Sequence, residues 1–323
     1  MPAPRDPSVL LAAARAYYLE GKSQAQIAQS LSTSRSNVSR MLSEAQRQGI
    51  VEIRLHDPSG RARDLEVALC KRFGLKNAMV AASNGGNANQ VAAQVGALGG
   101  QLLSQLLPEA ETIAMSWGHS LQHVVYSIDP ADYPDLEVVQ LVGGMSAISN
   151  EISGHELVRE LASRLGSKYR FLHTPATFSS TAARDTMLAE PSVAEALAVA
   201  RSADVAFLGI GTPSQGSSAA LLSSLGLSAE EDKAFWAAEP VGDVAARYYD
   251  SQGLPITGAV ADHVLAISLA EVVAIPNVVG VVNGRAKAGA LLGALRGHLI
   301  DSLVCDEGLA RSVLSHTLEV ENR

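Results

Sequence analysis

Cysteine is nearly absent from this 323-residue chain, which has only Cys70 and Cys305. Both lie in apolar stretches far apart, so they read as buried thiols; a disulfide framework is excluded and a reducing compartment is implied. Aromatic residues amount to 4%, and Ala, Val, Leu and Gly take their place, as closely packed α/β layers require. No run of 18 uncharged apolar residues occurs, and the opening MPAPRDPSVLL lacks the apolar stretch of a signal peptide. A cytoplasmic protein without a membrane partner is therefore expected. The histidines at 56, 123, 155, 173, 263, 298 and 316 form no pair with Cys or carboxylates at metal-ligand spacing, so neither a metal nor another cofactor is expected. Internal repeats and low-complexity segments are also missing.

What is present is a globular composition, 47% apolar and 18% charged, in a chain long enough for two domains. The net charge of −8 is unevenly spread: residues 1–60 carry seven Lys/Arg against five Asp/Glu, and the remainder 18 against 28. An acidic body repels a phosphate backbone, which confines any nucleic-acid contact to the N-terminal part. The small local excess there implies two or more copies per binding site.

The stretch Ser23–Leu55 has the pattern of a helix-turn-helix followed by a strand. Ser23 with Gln26 forms a capping box for a helix over Gln24–Leu31. Ser34 caps a second helix, Arg35 to about Gln48, whose Val38, Met41, Leu42 and Ala45 fall on one face. Ser36, Arg40, Ser43 and Arg47 occupy the other side, with Ser34, Arg35 and Asn37 at its N-terminal end. Arg can donate twice to guanine, Asn can bridge adenine, and hydroxyls near a helix N-terminus can hold phosphates. These seven residues are the expected DNA-contacting set. Val51, Ile53 and Leu55 then alternate with Glu52 and Arg54 as a wing-like strand. A preceding helix, Val9–Leu19, is expected to bury Leu10, Ala13, Ala14 and Tyr17.

Asp57–Gly60 is turn-rich and marks the boundary between a DNA-binding domain at 1–57 and a larger domain at 58–323. A connecting helix, Arg61–Phe73, comes next. Short apolar strands are expected at Ala78–Ala81, Thr112–Met115, Glu137–Val142, Tyr169–His173, Val205–Ile210, His263–Ile267, Val278–Val282 and Leu303–Cys305. They alternate with helices at Ala88–Leu107, His119–Ser127, Glu151–Leu165, Thr181–Leu188, Val193–Ala200 and Ala286–Leu295. The fold class is therefore α/β, a doubly wound and mostly parallel sheet behind a helical N-terminal domain. Ligands of such sheets bind beyond the strands' C-terminal ends. There, Ser116-Trp117-Gly118-His119-Ser120 offers free backbone N–H groups and hydroxyls to an anion. Gly143-Gly144 and Gly209-Ile210-Gly211-Thr212 admit close approach. Asn283-Gly284-Arg285 leads to Lys287, a cation for a phosphate, and Asp243 with Arg247 adds a carboxylate and a guanidinium.

Taken together and in order, SQAQIAQSLSTSRSNVSRML, LEVALCKRFGLKNAMV, SWGHSL, VVQLVGG, HTPA, LGIG, VGDVAARYYDSQG and the segment from Ile275 to Ala310 make the chain resemble the SorC family of bacterial sugar-metabolism regulators over nearly its whole length. The resemblance implies a body similar to the glucosamine-phosphate and ribose-phosphate isomerase fold, used for sensing. It also implies a homodimer or homotetramer, double-stranded operator DNA as partner, and a phosphorylated sugar or polyol as effector. On this resemblance Gly118, His119 and Ser120 hold the phosphate and Lys287 pairs with it, while Ser116, Gly143, Asp243 and Arg247 lie in pocket-lining segments. The family commonly has Thr in place of Ser120, and Ala-Gly-Gly in place of Val282-Asn283-Gly284. A regulator without catalysis is expected, with paired recognition helices in major grooves about 34 Å apart. The alternative is an active sugar-phosphate isomerase or deaminase, for which His119, Asp243 and Asp306 are the candidate bases.

Overall fold

The computed structural model describes residues 6–51, 60–83, 85–145 and 153–321. The expected wing strand beyond Val51, most of the Asp57–Gly60 boundary, and the start of the Glu151–Leu165 helix lie outside the described residues. The chain divides into two compact units, Met1–His56 and Asp57–Arg323.

The first unit is built of α1 (Pro7–Tyr18), α2 (Gln24–Ser30) and α3 (Arg35–Arg47). Each helix begins on a side chain that accepts from its first turn: Asp6 from Ser8, Ser23 from Gln26 in a full capping box, and Ser34 from Asn37. Leu10, Ala13, Ala14, Ile27, Ala28, Val38, Met41, Leu42 and Ala45 close into one small core. Tyr17 does not join it; the ring is exposed and stacks edge-on against Tyr18.

The second unit contains β1 (Asn77–Ala81), β2 (Thr112–Met115), β3 (Glu137–Gln140), β4 (Lys168–Arg170), β5 (Val205–Gly211), β6 (Gly242–Val244), β7 (Arg247–Tyr249), β8 (Asn277–Val282) and β9 (Ser302–Asp306). Between them run α4 (Arg63–Phe73), α5 (Ala88–Leu106), α6 (His119–Ser127), α7 (Gly154–Arg164), α8 (Thr181–Leu188), α9 (Pro191–Arg201), α10 (Gly216–Ser224), α11 (Ala229–Ala237), α12 (Ala259–Asp262), α13 (Leu269–Val273), α14 (Ala288–Arg296) and α15 (Glu307–Glu321). Among the described residues seven strands pair in parallel in the order β1-β9-β8-β5-β2-β3-β4, and β6 and β7 form an antiparallel hairpin on the end of β5.

Alternation along the strands feeds two cores, as a sheet covered on both faces requires. Ile113, Met115, Phe207, Val279 and Val281 meet α5, α6 and α7 through Leu102, Val124 and Leu161. Ala114, Ala206, Leu208, Val278 and Val282 meet α4, α9, α14 and α15 through Leu69, Leu197, Leu291 and Leu309. Helix α6 is held close because α5 carries Gly96, where a Cβ would lie 2.3 Å from the Cβ of His123.

Two segments of the larger unit depart from the sequence pattern. The segment His263–Ile267 is not a strand. It makes only isolated bridges, Val264 to Thr177 and Ala266 to Val142, beside the end of β3. The hairpin β6–β7 was not expected, because its turn is Ala245-Ala246 rather than Asn-Gly. Both alanines sit at positive φ, 48° and 60°, as a two-residue type I′ turn demands. For residues with a Cβ that geometry costs roughly 1–2 kcal/mol each.

Candidate functional site

Three chain reversals meet at the C-terminal ends of β2, β5 and β8 around a cavity of about 270 Å³. The first is Ser116–Ser120. Gly118 has φ 133°, which side-chain-bearing residues rarely adopt, and α6 starts from it without a side-chain cap. The N–H groups of that first turn have no intrahelical acceptors, and the helix dipole adds partial positive charge. Ser120 is buried and donates to Asn283 Oδ1 at 2.9 Å. Ser116 Oγ accepts from the N–H of Gly209 at 3.2 Å, tying this reversal to the next.

The second reversal runs from Gly209 through Thr212 to Ser218. Here α10 also opens without a side-chain cap, on Gly216 at φ 58°. Two helix N-termini therefore border one cavity. Thr212 Oγ1 is buried in this lining with no hydrogen-bond partner among the described residues. The third reversal follows β8 and supplies Asn283 and Lys287, whose Nζ donates to the carbonyl of Ile210 at 2.9 Å.

The hairpin β6–β7 closes the opposite wall with Asp243, Ala245 and Ala246. Asp243 is 8% exposed and accepts from the hydroxyl of Ser218 and the N–H of Ala246. Burial lifts its pKa to about 6, against the opposing pull of Ser218, Lys287 and the Ala246 N–H. This pairing needs glycine at 211, where a Cβ would stand 1.9 Å from Ser218 Oγ and 2.2 Å from Asp243 Oδ1. Tyr248 fixes the same corner from behind, donating its hydroxyl to the carbonyl of Ser218 at 2.7 Å. Among the described residues, two helix dipoles and Lys287 thus set the field, with the buried carboxylate of Asp243 against them. That balance favours a small anion carrying hydroxyl groups.

Of the residues singled out from sequence, Ser116, Gly118, His119, Ser120, Asp243 and Lys287 all line this cavity. Gly143 and Arg247 do not, and both expectations are corrected. A Cβ on Gly143 would lie 2.3 Å from the carbonyl oxygen of Pro175, so the glycine admits a neighbouring chain segment rather than a ligand. Arg247 turns away from the cavity and donates to the carbonyls of Ala261 (2.8 Å), Ala266 (2.6 Å) and Ile267 (3.0 Å). It is the clamp on the segment after α12, and burial pulls its pKa down to about 10. Asp306 lies outside this cavity and accepts from the N–H groups of Gly284 and Leu309. His119, exposed at the rim, faces His123 with 3.3 Å between their Nε2 atoms. That i,i+4 pair was overlooked in the sequence, as were Ser217 and Ser218. The latter follow Gly216 at a helix start, much as Ser120 follows Gly118.

On α3 the apolar face Val38, Met41, Leu42 and Ala45 is buried, while Ser34, Arg35, Ser36, Arg40, Ser43 and Arg47 are exposed. Asn37 is half-buried and donates from Nδ2 to Thr33 Oγ1 at 2.8 Å. Arg47 pairs with Glu44 on the same helix; solvent screens a surface pair of this kind, so it holds the guanidinium only weakly.

Residues 57–315 match the family described as "Putative sugar-binding domain". The chain is 28% identical to the sorbitol operon regulator of Klebsiella pneumoniae over 311 residues, 96% of this chain and 98% of that one. It is 27% identical to the deoxyribonucleoside regulator of Bacillus subtilis over 303 residues, 94% of this chain and 96% of that one. Among solved structures, the full-length sorbitol operon regulator SorC from Klebsiella pneumoniae superposes with a TM-score of 0.74 at 27% identity, covering 97% of this chain and all of that one.

Proposed function

The chain belongs to the SorC family of sugar-responsive transcriptional regulators, and from that premise we propose that a small phosphorylated sugar or polyol in the 270 Å³ cavity modulates its binding to operator DNA. The observation that carries this reading is the convergence of two uncapped helix N-termini and Lys287 on one cavity whose far wall holds Asp243. The phosphate is assigned to the Gly118–Ser120 turn, where backbone N–H groups and the Ser120 hydroxyl reach it and Lys287 neutralises it. Asp243 and Ser218 then accept from or donate to the hydroxyls of the carbon chain. The exposed face of α3, from Ser34 to Arg47, is the DNA-reading surface. Two copies acting together would offset the modest positive charge of the N-terminal unit.

The enzyme alternative has less to stand on. The relatives are named as regulators, Asp306 is occupied by two backbone N–H groups, and His119 sits at the rim. Turnover assays on pentose and hexose phosphates test it directly, and sustained conversion would favour it. The effector reading is tested by thermal-shift screening against phosphorylated sugars and polyols, because a ligand that binds only the folded state raises the melting temperature. A phosphorylated compound should raise it in the native chain and not in Lys287→Ala. If every phosphorylated compound left the melting temperature unmoved while a neutral sugar raised it, the phosphate assignment would be wrong.

A further inference from the structure

Asn283 belongs to two cavities. It takes the Ser120 hydroxyl in the first, and it also lines a second of about 320 Å³ together with Ser83, Arg285, Asp306 and Glu307. Behind it runs a series of hydrogen bonds joined by single backbone steps. The N–H of Gly284, the next residue, donates to Asp306 Oδ2 at 2.6 Å, and Asp306 Oδ1 accepts from Leu309 N–H at the start of α15. Glu307, first residue of that helix, accepts from the N–H of Ser83 at 2.7 Å, just past the end of β1. The neighbouring Ala82 N–H donates to Gly60 O at 2.8 Å, and Ala62 N–H to Val80 O at 2.9 Å, so residues 60–62 lie antiparallel along β1 as a strap.

The strap is pinned by a second device. Arg61 donates from Nε and Nη2 to the two oxygens of Glu66, both at 2.8 Å, and Glu66 also accepts from Val80 N–H at 2.9 Å. Arg61 and Glu66 are largely buried, with side chains 16% and 9% exposed. A lone buried carboxylate would be costly, so this geometry is held as a unit. Gly60 is the first described residue after the segment that joins the two units.

We propose that this series is the coupling element of the regulator: Asn283 senses occupancy of the effector cavity and, through Asp306 and Glu307, sets how firmly the strap Gly60–Ala62 is held on β1. A phosphate at Ser120 competes for the hydroxyl that Asn283 now accepts. The released amide and the loop Gly284–Lys287 move together, because Gly284 is tied to Asp306. The strap leads into the DNA-reading unit, so its tightening or release is the change that unit receives. Glu307 and Asp306 are positioning residues here; they touch neither effector nor DNA. The proposal rests on the effector reading above, and its test is arranged to separate the two.

Hydrogen exchange on the full chain reads the strap directly through the amides of Ala62 and Ala82. Ser120→Ala, which unties Asn283 without any ligand, should speed exchange at both amides severalfold while leaving the β2–β3 ladder unchanged. Unchanged exchange at the strap overturns the proposal whatever binds the cavity. Inorganic phosphate at millimolar concentration should alter exchange at the start of α6 and at the strap together. Phosphate that alters α6 alone overturns the coupling but leaves the effector reading intact; phosphate that alters neither counts against the effector reading, and the Ser120→Ala arm still decides the coupling. Glu307→Ala should retain phosphate binding and basal operator affinity yet lose the shift in operator affinity produced by the phosphorylated sugar that best raises the native chain's melting temperature. Glu307→Gln keeps one acceptor and should restore part of that effect. A response of native size in Glu307→Ala overturns the proposal.

Discussion

A carboxylate sealed into a cavity suited to anions works against the fold, and Asp243 is such a group. It titrates at about 6 in the native state and near 3.9 in an unfolded chain, so the native state binds the extra proton between those values. Stability therefore falls as pH rises through that window, by about 3 kcal/mol, and stays level above it. Asp243→Asn keeps an acceptor for Ser218 and removes the titration. Its melting temperature should gain on the native chain's steadily from pH 4 to pH 6 and run parallel to it above about 6.5. Parallel curves throughout would mean the carboxyl is not perturbed. Arg247 gives the opposite lesson, a buried charge held by backbone carbonyls. Arg247→Met strips donors from the carbonyls of Ala261, Ala266 and Ile267, and unfolding free energy should drop by about 3 kcal/mol in denaturant titrations. Phosphate affinity of the folded fraction should not move; a loss of affinity without loss of stability would return Arg247 to the ligand.

At the level of elements, legibility followed how much of the signal was local. Capping residues placed α2 and α3 to within a residue at each end, because Ser23 and Ser34 mark their starts by chemistry that acts within one turn, and the apolar pattern placed α6 and α8 as closely. Alternation found most strands of the parallel sheet for the same reason. It failed at His263–Ile267, apolar because it packs beside β3 under the Arg247 clamp, not because it pairs in a ladder. It failed again at β6–β7, whose three-residue strands and Ala-Ala turn carry no local mark of reversal. The lining of the cavity was legible where a glycine and a hydroxyl residue precede a helix, as at Gly118–Ser120, and where a lysine follows a strand. Gly143 and Arg247 were misplaced because proximity to a strand end does not say which way a side chain points. Two element-scale expectations follow for α3. Ser34→Ala removes its N-terminal cap and should cost about 1 kcal/mol in stability. Arg40→Ala should weaken specific operator binding by about 1–3 kcal/mol in titrations at fixed salt, with phosphate affinity unaltered; unchanged operator affinity would mean that another face of α3 reads the DNA.

Across the whole molecule, charge and chemistry divide along the chain. The excess of Lys/Arg sits in residues 1–60 and the acidic surplus in the rest, so the larger unit repels the nucleic acid that the smaller one is proposed to hold. Operator affinity should consequently fall steeply with salt, in proportion to the phosphates neutralised by all copies bound, whereas effector affinity, set inside a cavity, should respond far less. The two proposed activities would meet through the linkage between sites, for which a coupling of about 1–3 kcal/mol is sufficient. The most direct measurement is an operator titration at constant salt with and without the phosphorylated sugar that best raises the melting temperature, run in parallel on the native chain and on Lys287→Ala. Operator affinity of the native chain should shift by about 5–150-fold, and that of Lys287→Ala not at all at equal basal affinity; an undiminished shift in Lys287→Ala would show that the cavity at Lys287 is not the effector site.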